Sequence, residues 1–199
     1  IPTDGTLWMW GRNNHGQLGT NNTTNYSSPV QVGALTAWLE VSTGNYFSGA
    51  VKTDGTLWMW GRNHKGQLGQ GGTASTSSPV QVGVLTNWSK VKCLSNQNSH
   101  TLALKTDGTL WAWGYNGSGQ LGQGNTTDYS SPVQIGALTN WLEIGGGLYS
   151  SGARTTAGTI FCWGFNNKGQ LGVGDITSRS SPTQVGALTT WTRLMASNY

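Results

Sequence analysis

A chain of 199 residues with 31 glycines, 11 tryptophans and a net charge of +4 drawn from only 11 basic and 7 acidic side chains is far less charged than the ~25% of an ordinary soluble domain. Eleven indoles argue against disorder, the glycines keep no three-residue collagen period, and no run approaches the ~20 apolar residues of a membrane-spanning helix. No stretch of five Lys/Arg points to nucleic acid or an anionic membrane, and Cys93 and Cys162 are too few for a disulfide framework or a zinc cluster.

In chain order the first signal is Asp4-Gly5, followed by Leu7-Trp8-Met9-Trp10. The next copy shows the whole pattern: Gly49-Ala50-Val51, then Thr53-Asp54-Gly55-Thr56, then Leu57-Trp58-Met59-Trp60. Asp-Gly between apolar runs predicts a two-residue type I′ hairpin, in which both central residues need positive φ. Alternation puts Leu57 and Met59 on one face and Trp58 and Trp60 on the other, so the strand is expected to pack on both sides.

Gly16-Gln17-Leu18-Gly19 predicts a tight corner with its leucine pinned into the core. A phosphate loop would need a following Gly-Lys-Ser/Thr and a helix, and neither is present. Ser78-Pro79-Val80-Gln81-Val82 starts on a proline, which suits an edge strand. Trp38-Leu39-Glu40-Val41 alternates and runs into a glycine turn, and nothing offers a helix longer than a turn or two.

These landmarks recur. The Gly-Gln-Leu-Gly corner stands at 16–19, 66–69, 119–122 and 169–172, and Pro29, Pro79, Pro132, Pro182 and Trp38, Trp88, Trp141, Trp191 keep the same register. Four short strands in each ~50-residue unit read as a propeller blade. The expectation is an all-β propeller of four blades over residues 1–199 as a single domain, either a partial ring or part of a larger one. Tyr199 matches Tyr46 and Ile1 matches Val51, so the chain is cut in mid-blade. With no initiator Met and no signal-like segment at Ile1, a processed or partial chain is expected.

Chemistry-bearing groups give little sign of catalysis. Asp4, Asp54 and Asp107 lie at equivalent corners of separate units, too far apart for one Ca²⁺, and turn chemistry explains them. His15, His64 and His100 show neither metal spacing nor a nucleophile partner and are expected in exposed loops. Cys162 stands where Met9, Met59 and Ala112 stand and reads as a small core residue. The strand tryptophans read as packing. Trp38, Trp88, Trp141 and Trp191 also read as core, with stacking on a sugar as the alternative. No catalytic, cofactor-binding or metal-binding residue is expected.

The better contact candidates are variable positions on an otherwise fixed frame. Arg12, Arg62, Tyr115 and Phe165 share one register, and the loops between Leu-Gly and the proline strand carry Asn21, Asn125, Asp128 and Asp175. Asn21, Asn22, Asn25, Asn87, Asn116 and Asn125 match the glycosylation acceptor pattern, which so Asn/Thr-rich a chain also supplies by chance.

Thr53-Asp54-Gly55-Thr56-Leu57-Trp58-Met59-Trp60-Gly61-Arg62-Asn63, followed by Gly66-Gln67-Leu68-Gly69 and Ser78-Pro79-Val80, resembles the repeat of the regulator of chromosome condensation family. Gly11-Arg12-Asn13, Gly114-Tyr115-Asn116 and Gly164-Phe165-Asn166 repeat its Gly-x-Asn element. The resemblance implies a β-propeller, seven-bladed in the founding member, which is a nuclear guanine-nucleotide exchange factor that also binds chromatin. That exchange depends on a wedge-like insertion and the chromatin contact on a basic tail. Here the only length irregularity is three extra residues between Val91 and Asp107, and no basic tail is expected.

The near-identical, Asn/Thr/Gly-rich units look like bacterial and bacteriophage members of the family. They favour a non-enzymatic scaffold that recognises protein or glycan, extracellular, on a cell surface or on a virion. A self-assembling structural subunit that uses uncovered blade faces is the alternative, and exchange on a small GTPase comes third. No cofactor, nucleic-acid partner or membrane insertion is expected.

Overall fold

The structure is a computed structural model that describes residues 1–94 and 99–194. Fourteen strands and no helix form among them. β1 (Trp8–Gly11) and β2 (Tyr26–Gln31) make a two-stranded sheet. Three four-stranded antiparallel sheets follow: β3 (Trp38–Thr43), β4 (Phe47–Lys52), β5 (Leu57–Gly61) and β6 (Thr76–Gln81); β7 (Trp88–Leu94), β8 (His100–Lys105), β9 (Leu110–Gly114) and β10 (Tyr129–Gln134); β11 (Trp141–Gly146), β12 (Ser150–Thr155), β13 (Ile160–Gly164) and β14 (Arg179–Gln184). Four sequence units therefore make three whole blades and the outer half of a fourth. Each unit begins at its Asp-Gly turn or the Ala157-Gly158 counterpart, in mid-sheet, and the first three each supply the outer two strands of one blade and the inner two of the next.

Packing explains the order of strands. β3, β7 and β11 lie innermost and face one another, while the proline strands β6, β10 and β14 lie outermost, where a missing N–H costs no ladder bond. The apolar cores fill the layers between sheets. One joins Phe47, Leu57 and Met59 to Trp88, Val91 and Trp113, and a second joins Leu102 and Leu110 to Trp141, Ile144 and Trp163. Strands with two apolar faces are satisfied in this way.

A bulge opens each inner strand. Trp38 pairs with Lys52 and Glu40 with Val51, so Leu39 is extra, and the same step recurs at Trp88/Lys90 and Trp141/Glu143. The bulge turns Trp38, Trp88 and Trp141 into the core, which decides their role as packing residues. Trp191 departs from this expectation and is exposed, at 39%.

Side-chain links join neighbouring inner strands, and β11 to the segment after β14. Cys93 N–H donates to Ser42 Oγ at 2.9 Å, Lys90 Nζ to the Leu142 carbonyl at 3.0 Å, and Leu194 N–H to Glu143 Oε2 at 2.9 Å. Glu143 also pairs with Arg154 at 3.0 Å.

The Asp-Gly turns form, joining β4 to β5 and β8 to β9 as hairpins, but with a different turn type. Gly5, Gly55 and Gly108 have φ of 74, 78 and 77°, whereas the preceding aspartates keep negative φ. Gly55 N–H bonds to Lys52 O and Lys52 N–H to Thr56 O, which closes a three-residue loop of type I with a glycine bulge rather than type I′. Asp54 Oδ1 accepts from both Thr56 N–H and Thr56 Oγ1, and Thr56 Oγ1 in turn accepts from Trp58 Nε1 at 2.9 Å. The same Asp–Thr–Trp relay stands at Asp4 and Asp107. In the fourth unit Asp and Trp are replaced together, by Ala157 and Phe161. Phe has no N–H for the relay to hold.

His100 departs from its expected place in an exposed loop. It takes the strand position of Phe47 (each sits opposite the glycine that ends the next strand) and is fully buried. Its Nε2 lies 2.8 Å from Ser151 Oγ, and burial drives its pKa down to about 3. Cys93 and Cys162 are free thiols, and burial holds the Cys162 thiol up at about 11. Most of the three-residue length difference falls on 95–98, outside the described residues.

Candidate functional site

The Gly-Gln-Leu-Gly corner is a blade-to-blade joint. The carbonyl of Gln17 accepts from Trp60 Nε1 at 2.9 Å and from Ser48 Oγ at 2.8 Å, both in the next blade. Gln67 O does the same for Trp113 and Thr101, and Gln120 O for Trp163 and Ser151. The final glycine of the corner leaves room for the indole, since a Cβ on Gly69 would stand 2.7 Å from Trp113 Nε1. Leu18, Leu68, Leu121 and Leu171 are buried as expected.

The Gly-x-Asn element serves the same corner. Asn63 Oδ1 accepts from Leu68 N–H, and its Nδ2 donates to the carbonyls of Gly72 and Ala74. Asn13, Asn116 and Asn166 are equally buried, so the acceptor pattern at Asn116 marks a packed amide that no glycan can reach in the folded chain.

The residue between Gly and Asn is released to the surface on the same rim as the β3–β4 turn. Arg62 N–H bonds to Tyr46 O at 2.8 Å, and Phe165 N–H to Tyr149 O at 2.9 Å. This backbone bond sets Arg62 and Phe165 beside a tyrosine-bearing turn, while Tyr115 N–H bonds to Ser99 O at 3.1 Å. The guanidinium carbon of Arg62 lies 5.4 Å from the Tyr46 ring centroid, and that of Arg12, from the preceding unit, 5.8 Å from the same ring. His15 meets the Tyr46 ring edge-on at 5.1 Å, and its pKa is held down by burial and by the charges of Arg62 and Arg12.

Along the rim, Lys65 Nζ sits 5.2 Å from the Tyr115 ring and 3.4 Å from Asp128 Oδ2. Phe165 packs edge-to-face on Tyr149 at 6.0 Å. Arg12, Arg62, Tyr115, Phe165 and Asp128 thus share one rim.

The other candidates are committed to structural contacts, Asn21 to β6 of the next blade and Asn125 and Asp175 to their own loops. Asn21, at φ 59°, donates its N–H to Ser77 O and accepts from Ser78 Oγ. Asn125 bonds Tyr129 OH, Gln123 O and Thr127 N–H. Asp175 accepts from Thr177 N–H and pairs with Arg179 at 2.5 Å, and these contacts hold its carboxyl below the usual range.

Sequence reading missed Tyr46, His15, Lys65 and Tyr149 as members of the rim. The signal for Tyr46 was its register with Tyr149, one residue before the strand that pairs with the Gly-x-Asn strand. Among the described residues no three His, Cys, Asp or Glu side chains gather as metal ligands. The rim carries cations, rings and amides, which suit contact with another surface.

Comparison with known proteins follows the same geometry. The profile of the "Regulator of chromosome condensation (RCC1) repeat" matches residues 4–51, 54–104, 107–153 and 157–197, each match starting at or beside an Asp-Gly turn or its Ala157-Gly158 counterpart. Human Protein RCC2 is 40% identical over 136 residues, which is 68% of this chain and 16% of that protein. The crystal structure of human WBSCR16 superposes with a TM-score of 0.81 at 25% identity, over 94% of this chain and 50% of that one. Prp20p from Saccharomyces cerevisiae, whose structure was described with its binding to Gsp1p and histones, gives a TM-score of 0.79 at 20% identity over 93% and 47%. The chain spans about a sixth of RCC2 and about half of these two solved chains.

Proposed function

We propose that the chain, which belongs to the regulator of chromosome condensation repeat family, is a non-enzymatic propeller scaffold that recognises a protein through its Gly-Gln-Leu-Gly rim. The observation that carries the reading is the set of four equivalent positions, Arg12, Arg62, Tyr115 and Phe165. One register presents them all, the side chain changes from Arg in the first two units to Tyr and Phe in the next two, and each lies against an aromatic ring or a cation. A frame that holds position constant while varying chemistry suits specific contact. Binding to Gsp1p and histones, named for Prp20p, is protein recognition on the same fold and supports this class of partner. The uncharged, Asn/Thr/Gly-rich style of the units is the support for placing that partner outside the cell or on a virion.

Panning a peptide display library against the chain tests the reading. Binders should be lost when Arg12, Arg62, Tyr115 and Phe165 are all changed to Ser while thermal unfolding stays in place. Binders indifferent to the rim, or a glycan-array signal in place of a peptide one, would overturn it.

One observation favours assembly as a second reading. Trp10 is 60% exposed with no corner against it, and a Cβ on Gly172 would meet nothing nearer than Val185 at 3.4 Å, with no indole there. These are the two halves of the joint that recurs inside the chain. Copies joining through them would sediment as concentration-dependent oligomers, and Trp10→Ala would abolish this. A monomer at all concentrations removes the reading.

A further inference from the structure

The clearest unspent chemistry on the rim is the pair of arginines that shares one tyrosine. Arg12 comes from the loop after β1 and Arg62 from the loop after β5, yet both guanidinium groups lie within 5.8 Å of the Tyr46 ring centroid. A ring face or edge satisfies the cation but accepts none of the five N–H donors that each guanidinium carries. Among the described residues neither arginine has a carboxylate within ion-pair distance, since the three ion pairs belong to Lys65, Arg154 and Arg179. Two like charges are therefore held near one another without a counter-charge.

The support beneath them is fixed. Arg62 N–H is bonded to Tyr46 O, and Gln17 Nε2 donates to Asn45 O at 3.2 Å while Gln17 Oε1 accepts from His15 N–H at 2.9 Å. The Tyr46 turn is thus tied to the very corner that makes the blade joint. Preorganised donors of this kind lose little entropy when an acceptor arrives. The geometry points to a clamp, Arg12–Tyr46–Arg62, that binds the carboxylates of an acidic segment of a partner protein.

The rest of the rim narrows the partner. The positions equivalent to Arg12 and Arg62 in the next two units are Tyr115 and Phe165, and the next cation, Lys65, is already neutralised by Asp128. After the clamp comes a carboxylate, and the next unpaired cation of that register is Lys168, a full unit beyond. A nucleic acid or sulfated polysaccharide needs cations in series and would meet Asp128 with its next charge. A peptide with one or two adjacent carboxylates followed by apolar side chains matches both halves, placing its acids at the clamp and its apolar residues against Tyr115, Phe165 and Tyr149. Guanidinium and carboxylate also meet in a bidentate geometry that lysine cannot reproduce.

The inference rests on the scaffold reading, and its test separates the two. Fluorescence anisotropy would follow a labelled dodecapeptide bearing Glu-Glu-Asp and two Phe, against its Gln-Gln-Asn counterpart. The acidic peptide should bind more tightly, and Arg12→Gln and Arg62→Gln should each weaken it about tenfold or more. Lys168→Gln, which removes an exposed cation on the fourth unit, should leave binding unchanged. Rising salt should weaken binding of the acidic peptide only.

Equal affinity for the two peptides, or no loss in either arginine variant, overturns the clamp. Displacement of the peptide by heparin or duplex DNA at matched charge does so as well, because it reveals a general polyanion surface. If display-selected binders use the rim but ignore charge, the clamp fails and the scaffold stands. If no binder depends on any rim residue, the scaffold reading itself fails.

Discussion

Thr3–Asn13 and Thr53–Asn63 are the same eleven residues in the same order, yet they end in different surroundings. Trp60 is fully buried with its indole N–H on Gln17 O, whereas Trp10 is 60% exposed. Leu7 and Leu57 are both buried and both segments make the strand and its Asp–Thr–Trp relay. Local sequence fixes the turn and the following strand in both copies. The blade on the preceding side decides whether the second tryptophan becomes core. Stability in such an array is a sum of unit terms and joint terms, and identical residues can differ by a whole joint.

That comparison can be broken most directly by cutting the same side chain at both places. Trp60→Ala should cost about 3–5 kcal/mol, as for other buried aromatics, while Trp10→Ala should cost less than about 1 kcal/mol. Urea unfolding of the two variants measures the difference, and equal losses would mean that the joint contributes little.

Acid should attack an inner joint next. His100 contacts Ser151, which also donates to the joint carbonyl of Gln120. Its folded pKa lies near 3, below the unfolded value of about 6.5, so the unfolded chain takes up a proton that the native chain refuses. The stability it allows is whole above about pH 6.5 and falls as pH drops from there toward 3. At pH 4 the loss from this group should be about 3 kcal/mol. His100→Phe, the residue at the equivalent position in the first whole blade, should flatten that part of a stability–pH profile.

Glycine supplies a finer contrast. Gly69 and Gly172 have φ of 70 and 67°, so alanine is strained at both by about 1–2 kcal/mol. At Gly69 the added methyl also meets Trp113 Nε1 at 2.7 Å, whereas at Gly172 the nearest atom is 3.4 Å away. Gly69→Ala should therefore be the more destabilising by about 1–3 kcal/mol, and a thermal shift assay on the pair reads the joint apart from the backbone.

The smallest effect concerns the relay that both regions share. Asp54→Ala should cost about 1 kcal/mol, and less in a Trp58→Phe background, because the threonine then has no indole to orient. A double-mutant cycle with a coupling near zero would show that the joint loss at Ala157 and Phe161 has another cause.

Much of the architecture was legible because the repeat states it four times. The two apolar faces of Leu57–Trp60, the buried leucine of the corner and the proline edge strand follow from residue type and spacing alone. What escaped depends on partners far along the chain. The dipeptide Asp-Gly does not reveal that Lys52 pairs with Thr56, and that pairing sets the loop at three residues and the turn at type I. Register with Phe47 was the only sign that His100 is core, and a titratable ring at a phenylalanine position is not expected from its chemistry.

The rim was half legible. Arg12 and Arg62 stood out as variable positions, but 34 residues separate Arg12 from Tyr46, and only the joint brings the two together.

The offset between sequence unit and sheet has a consequence for how such chains can change in length. Each ~50-residue period is woven into two sheets at once, so duplicating one inserts a module whose both borders already fit its neighbours. Unequal crossing-over between near-identical copies would then lengthen or shorten the array without disturbing its internal joints, and the number of blades becomes a freely inherited variable.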